Sequence, residues 1–446
     1  VPLVTSFLLP EEIQGITRAS AEDVYKFIED DLKAAADALP KRSEYAATDM
    51  GRATSGAALG LLGKVYLYQE KWQEAHDVLE TVIDSKEYEL LDNFGDVWSV
   101  DHNNSKESLF EVQYMYDGTY SLGGSLTIIT GARNGPGDGW SWGQPTANLE
   151  QAYIDAGDTE RLRWTIIKTG CTEIAGEDNF DKFIENSKDM ANYKTYIEKY
   201  GWDPDCYIID PAQHKSARIV RKYFVPIEKR PEVYNTDKIP LDHRILRYAD
   251  VLLMYAEVVN ELYGKGATAE GCTLTATAAL KEVHDRAFTD ATKRDAAWTA
   301  LMGKDFFDAI VDENAWELAG EGVRKFDLIR WNLLSEKIDE FKNEYTNAVY
   351  NGTYPQYVNY KYRTDNPMYI DMTSLVFGAK VGGEYENKSF FGAETSDKEQ
   401  KNLKVNLPSI SGGLNKAVKN RYLLPIASTT ISTSNGKLHN SYGYSD

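Results

Sequence analysis

Cysteine is scarce in this chain, with three residues (Cys171, Cys206 and Cys272) in 446. They are odd in number and far apart, and no C-x-x-C pair exists. Neither a zinc site nor a redox motif is indicated, and an oxidising compartment is neither required nor excluded. Histidine is also sparse. His76, His102, His214, His243, His284 and His439 form no H-E-x-x-H pair or related zinc-hydrolase cluster. No apolar stretch approaches the roughly 20 residues of a membrane-spanning helix. No signal peptide is visible, and the chain opens Val1-Pro2-Leu3-Val4 without an initiator Met. That opening reads as a processed or truncated product, with any targeting segment outside it. Positive charge is in deficit: 49 Lys+Arg against 69 Asp+Glu gives −20. An acidic surface disfavours nucleic acid, whose phosphates need basic partners, and anionic lipid headgroups. The P-loop pattern G-x-x-x-x-G-K-[ST] and the nucleophile elbow G-x-S-x-G are missing. A glycosidase needs only two carboxylates, so 69 acidic residues leave that class open. No pair of them occupies an obvious strand-end setting.

What is present is an ordinary globular composition, 42% hydrophobic and 26% charged, that can bury a large core. The periodicity predicts helices. Ser20 is an N-cap with Asp23 three residues on, Val24, Phe27, Ile28, Leu32, Ala35 and Leu39 follow a helical period, and Pro40 marks the stop. Two more helices are expected over 54–84. Leu62-Gly63, Tyr66, Ala75 and Leu79 fall there at tetratricopeptide spacing, with Gly63 and Ala75 letting the pair approach closely. An unrelated helical hairpin would select similar residues. Leu109–Tyr114 reads as a short strand, and helical patterning resumes at 146–156. The strongest helix is 246–263, followed by helical patterns at 273–288 and 304–319 and a restart from Val323 to Trp331 after a glycine turn. Residues 170–240 are polar and poorly periodic, and 341–445 read as mostly loop.

The expected fold is therefore mainly α: tetratricopeptide-like hairpins with a long-loop, variable side carrying a few short strands. As one domain over 1–446, residues 1–90 and 241–340 would form the helical scaffold. Residues 91–240 and 341–446 would form the loop-rich regions, where binding residues usually sit.

Two charged patterns lie on the helices. Glu317, Glu321, Arg324 and Asp327 would form a stripe if the helix restarted in register, and Arg247, Asp250 and Glu257 mark the 246–263 helix. An acid pair for catalysis is one reading. Mixed signs on apolar helices favour the other, ion pairs holding helices together. The aromatics are more informative. There are 29 Tyr and 9 Trp, and they concentrate in three polar segments: 110–142, 193–207 and 341–369. A flat ring among polar groups suits a sugar, whose C–H face stacks while its hydroxyls take hydrogen bonds. Loops anchoring themselves with aromatics is the competing reading.

Several segments resemble the SusD/RagB family. They are R-Y-A-D-V-L-L-M-Y-A-E-V-V-N-E (247–261), W-E-L-A-G-E-G-V-R-K-F-D-L-I-R-W (316–331) and G-R-A-T-S-G-A-A-L-G-L-L-G-K-V-Y-L-Y-Q-E-K-W (51–72). V-P-L-V-T (1–5), R-A-S-A-E-D-V-Y-K-F-I-E-D-D-L (18–32), G-D-G-W-S-W-G-Q-P-T (137–146), Y-L-L-P-I-A (422–427) and N-S-Y-G-Y (440–444) are similar in the family's order. The resemblance implies tetratricopeptide-like hairpins and an outer-surface lipoprotein of glycan-uptake systems. It also implies oligosaccharide capture without catalysis and a SusC-like TonB-dependent transporter as partner. The family pattern starts earlier, with a signal peptide, a lipidated Cys and a longer lead-in, so the lipid anchor is expected outside this chain.

Family ligand sites lie on variable loops, so the candidate residues rest on the aromatic argument. Trp140 and Trp142 would stack on sugars, with Tyr116 beside them. Arg133, Asn134 and Asp138 would bond hydroxyls, and Trp202 and Tyr357 are second choices. No metal and no cofactor is expected. The alternative function is a tetratricopeptide-type scaffold binding a protein in its helix-pair groove, without sugar.

Overall fold

The computed structural model describes residues 2–13, 16–116, 121–131, 140, 142–168, 218–225, 239–266, 274–350, 353–355, 357–362, 364–365, 370–389, 425–434 and 436–440. All three cysteines, the 193–207 aromatic stretch, residues 422–424 of Y-L-L-P-I-A and all of N-S-Y-G-Y except Asn440 lie outside them.

Ser20 caps the first long helix, α1 (Ala21–Ala38), by accepting a hydrogen bond from the Asp23 amide at 3.0 Å. The helix stops where Leu39 turns extended before Pro40, because proline's ring disfavours the α conformation in the residue before it. Thr54 caps α2 (Ser55–Leu67) by accepting from the Ala57 amide at 3.0 Å. A tight turn leads into α3 (Trp72–Asp84). A Cβ on Gly63 would lie 2.5 Å from Leu79 Cδ2, so the two helices touch where only a hydrogen fits. Ala75 and Leu79 are fully buried at that contact. The tetratricopeptide-like spacing thus marks a real close approach.

The strands β1 (Ser108–Val112), β2 (Met115–Tyr116) and β3 (Ser121–Leu122) follow, with a short helix α4 (Leu126–Thr130). Then come α5 (Ala147–Ala156), α6 (Thr159–Thr165), β4 (Ile166–Lys168) and β5 (Arg218–Val220). The strand β6 (His243–Arg247) pairs antiparallel with β1 and feeds directly into α7 (Tyr248–Tyr263). Nearly every α7 side chain from Tyr248 to Val259 is buried, as expected of a helix apolar on all sides. Around it pack α8 (Ala276–Arg286) and α10 (Phe306–Glu317), with α9 (Ala291–Met302) between them in sequence. The main core joins Leu62, Tyr66, Leu79, Ile83, Val251, Leu252, Tyr255, Val258, Leu280 and Ile310. The helix α11 (Arg324–Arg330) and a long α12 (Leu334–Tyr350) follow. A three-stranded antiparallel sheet comes next, with β7 (Tyr357–Tyr362) between β8 (Ile370–Gly378) and β9 (Glu386–Ser389).

Two expectations need correction. The 341–445 region is not mostly loop where it is described, because α12 runs to Tyr350 and the β7–β9 sheet follows. Tyrosine serves there as a strand former, and Tyr354 and Tyr360 are buried. The helix α9 is unannounced by apolar periodicity. It is set instead by the Asp290 cap, which accepts from the Thr292 and Lys293 amides, and by helix-favouring Ala, Lys and Arg.

The charged patterns form buried ion pairs, and they extend further than the sequence indicated. Arg247 Nη1 lies 2.7 Å from Glu107 and 2.9 Å from Glu317, and Nη2 lies 2.9 Å from Glu321. Arg286 binds the same Glu107 and Glu317. Arg161 reaches Glu313 and Glu317 and pairs with Asp158. Lys222 donates to Glu321 and to the Glu317 carbonyl. Burial alone would raise the Glu317 carboxyl, but Arg286, Arg247 and Arg161 hold it down at about 2. Burial pulls the Lys222 ammonium down to about 8 against the pull of Glu321. The stripe does not continue in register. Gly320 and Gly322, both at positive φ, break it. Arg324 donates to the Val311 carbonyl, and Asp327 pairs with Arg330. Asp250 accepts from the Arg247 amide, and Glu257 takes both Nη atoms of Arg330.

Candidate functional site

The loop entering α5 is pinned to the C-terminal end of α4. A helix leaves its last carbonyls without partners inside the helix. Here the Trp140 amide donates to the Ile128 carbonyl at 2.6 Å and the Trp142 amide to the Ile129 carbonyl at 2.8 Å. The helix α4 is itself held by Thr127, whose hydroxyl donates to the Tyr223 carbonyl at 2.6 Å. After Gly143, at positive φ, Thr146 caps α5 by accepting from the Leu149 amide. Both tryptophan amides are therefore fixed while their indoles remain 48% and 63% exposed.

The two rings touch. Their centroids are 5.7 Å apart and their planes are inclined by 54°. A ring stacked between two parallel indoles would need about twice the 3.5–4.0 Å carbon contact distance. The pair therefore offers inclined outer faces and not a sandwich. Large exposed aromatics beside polar loops combine stacking area with a hydrogen-bonding N–H, the combination a hydroxylated ring needs.

Of the other candidates, Tyr116 sits in β2 opposite Ser121 of β3, in the hairpin that leads into α4. Tyr357 begins β7, half-buried, opposite Gly378 and Ser389. Its strand is tied to the foot of the tryptophan loop, because Val358 and Tyr354 pack on Ala147 at the start of α5. Arg133, Asn134, Asp138 and Trp202 lie outside the described residues. Of the 341–369 aromatics, Tyr345 and Tyr354 pack with tilted rings, centroids 5.9 Å apart, within that same cluster, so those two anchor the chain.

Sequence reasoning missed an apolar surface on the neighbouring strands. Phe110 and Val112 of β1, Ile245 of β6, Met115 of β2 and Leu122 of β3 are each about 40–65% exposed. Alternation along β1, with Leu109 and Glu111 inward, was the available signal. A groove of about 380 Å³ lies on the scaffold, lined in part by Lys41, Arg42, Gly56, Leu59, Val82 and Tyr88. Among the described residues no group of three or more His, Cys, Asp or Glu is placed to hold a metal ion, and no helix is long and apolar enough to cross a membrane.

Comparison with known proteins agrees with this architecture. The SusD family model matches residues 106–444. SusD-like protein P25 of Formosa agariphila is 25% identical over 355 residues, covering 76% of this chain and 61% of that protein. A SusD-like protein of Bacteroides ovatus is 29% identical over 259 residues, covering 53% of this chain and 40% of that protein. The chain thus spans between two fifths and three fifths of these relatives' length. Among solved structures, a laminarin-binding SusD-like protein superposes with a TM-score of 0.55 at 25% identity, covering 76% of this chain and 68% of that one. A crystal structure determined with xylogluco-oligosaccharide has the same fold, with a TM-score of 0.58 at 20% identity over 98% of this chain and 76% of that one. Since the family model spans well over half of the sequence, the chain belongs to the SusD family.

Proposed function

We propose that this chain captures an oligosaccharide or polysaccharide at the Trp140–Trp142 loop and releases it unchanged. The carrying observation is the exposed, inclined indole pair whose backbone is fixed to α4. Likeness to a laminarin-binding protein at 25% identity supports a carbohydrate as the ligand class. Family membership supports the setting: the outer membrane's external face, a lipid anchor outside this sequence, and delivery to a SusC-like TonB-dependent transporter. Arg133, Asn134 and Asp138 would supply hydroxyl contacts beside the indoles, with Tyr116, Trp202 and Tyr357 as further platforms.

Affinity electrophoresis against a polysaccharide panel that includes laminarin tests this reading. Retardation of the wild-type chain, lost in Trp140→Ala and Trp142→Ala variants that remain folded, is the expected result. Normal retardation of both variants would remove the site assignment. The scaffold groove favours one second reading, a protein ligand held at the helix pair. That reading expects no polysaccharide to be retained, and loss of partner capture when Leu59 in the groove is changed to Asp.

A further inference from the structure

Beneath the exposed strands lies a group of side chains that sugar capture does not use. Glu111 of β1 and Asp242, just before β6, are both almost fully buried. They meet at Asn104, whose backbone amide donates to Glu111 and whose Nδ2 donates to Asp242 Oδ2 at 3.5 Å. Two carboxylates meeting on one residue can bond each other only through a proton, because both are acceptors. Asp242 Oδ1 accepts from the Tyr114 amide at 2.7 Å, and Glu111 Oε2 accepts from the Asn104 amide at 2.9 Å. Glu111 Oε1 is buried and accepts no well-formed hydrogen bond from an N–H donor. Arg244 Nε is 3.3 Å from it.

The surrounding charges do not neutralise two carboxylates. Arg244 is the cation facing both, and its guanidinium also donates to the Asp242 carbonyl and to Asn103 Oδ1. Behind it, Arg247 opposes its charge and Tyr223 favours it. From the scaffold side, Arg42 Nη2 donates to the Asn104 carbonyl. His102 contributes a backbone carbonyl to Arg244. One guanidinium against two acids leaves one negative charge in a buried place, and a shared proton removes it.

The pair joins two chain segments at a mechanical point. Asp242 grips the Tyr114 amide, and residue 115 begins the β2–β3 hairpin. On the other side, Asn103 donates to the Pro240 carbonyl, and Gly124 and Ile239 bridge just past the hairpin's second strand. We propose that Glu111 and Asp242 hold one proton between them and form a pH-sensitive latch at the root of the β2–β3 hairpin. Burial, with Glu111 adding to it, pushes the Asp242 carboxyl up to about 7. The folded state then binds a proton that the unfolded chain has released above its ordinary value of 3.8. The latch's contribution is full below that ordinary value. It declines as pH rises to about 7 and is lost above it. This device does not depend on what the hairpin binds.

Asp242→Asn keeps an acceptor for Tyr114 and supplies a permanent donor to Glu111, imitating the protonated pair. The test measures unfolding midpoints of wild type and Asp242→Asn from about pH 5 to about pH 9. The variant is expected to gain on the wild type as pH rises to about 7, and the gap should then level off. Glu111→Gln should behave alike. A gap independent of pH overturns the proposal. Should neither variant fold, the wild type alone decides. Its infrared spectrum should keep a buried protonated-carboxyl band at about pH 6 and lose it by about pH 8, with faster amide exchange at Tyr114 to Tyr116 after correction for intrinsic rates. Absence of that band at about pH 6 overturns the proposal as well.

Discussion

Trp140 and Trp142 combine an exposed side chain with a fixed backbone, and that combination determines what substitution should do. Their indoles are about half-exposed, so replacement by alanine is expected to cost only about 1 kcal/mol of stability. The proposed role in capture predicts a larger effect. Each loss should cost about 1–2 kcal/mol of binding, roughly a five- to thirtyfold rise in Kd, read by titration calorimetry on the retained polysaccharide. The buried charges behave in the opposite way. Glu317 meets Arg247, Arg286 and Arg161 at once. Glu317→Gln leaves three guanidinium groups short of a partner and should cost about 3–5 kcal/mol of stability in denaturant unfolding. The sign with pH follows from its depressed carboxyl, held at about 2 against an ordinary 4.5. Its contribution is present above about 4.5 and is lost as pH falls towards about 2, so the wild type's advantage over the variant should shrink across that interval. At this scale Glu317, Glu321 and Arg247 were legible as ion-pair residues because they interrupt apolar helices. Arg161, Glu107 and Lys222 were not, since each looks like an ordinary surface charge until the chain folds back on itself.

Helix–helix contact decides the next scale. Gly63 lets α2 lie against Leu79 of α3. Gly63→Ala would gain about 0.5–1 kcal/mol of intrinsic helix preference but place a methyl 2.5 Å from Leu79 Cδ2 and 2.7 Å from its Cγ. Overpacking should win, with a net loss of about 1–3 kcal/mol by thermal or denaturant unfolding. Leu79→Ala in the same chain should recover part of that loss relative to Leu79→Ala alone, because the methyl then has space. The helices α1, α2, α3 and α7 were readable because one apolar period or one unbroken apolar run marks each. The helix α9 was not, since its residues favour helix without an apolar stripe. The sheet β7–β9 was not, because its tyrosines and asparagines have the composition of a loop and become strands only when paired. The loop bearing Trp140 and Trp142 was legible in content but not in form. Nothing local announces that two amides will complete the last turn of α4.

At the scale of the whole molecule, the buried ion pairs join α6, α8, α10 and the residues flanking β5 and β1 around the root of α7. The scaffold and the segment ahead of the tryptophan loop are thus fastened by charge as well as by apolar packing. A rigid base with an exposed aromatic pair suits a protein that holds a ligand without acting on it, since binding residues on loops gain precision from the scaffold beneath them. The family resemblance was visible in the sequence from the α7 and α10–α11 motifs. The ligand was not, because an indole pair stacks on many sugars and the choice among them lies in loop geometry. The measurement that tests the central claim most directly is retardation of the full chain on the polysaccharide panel, with a reducing-end assay on the same samples. The expected result is retention by at least one polysaccharide, lost in the Trp140→Ala, Trp142→Ala double variant, and no new reducing ends. New reducing ends from the wild-type chain, or undiminished retention of a folded double variant, would contradict it.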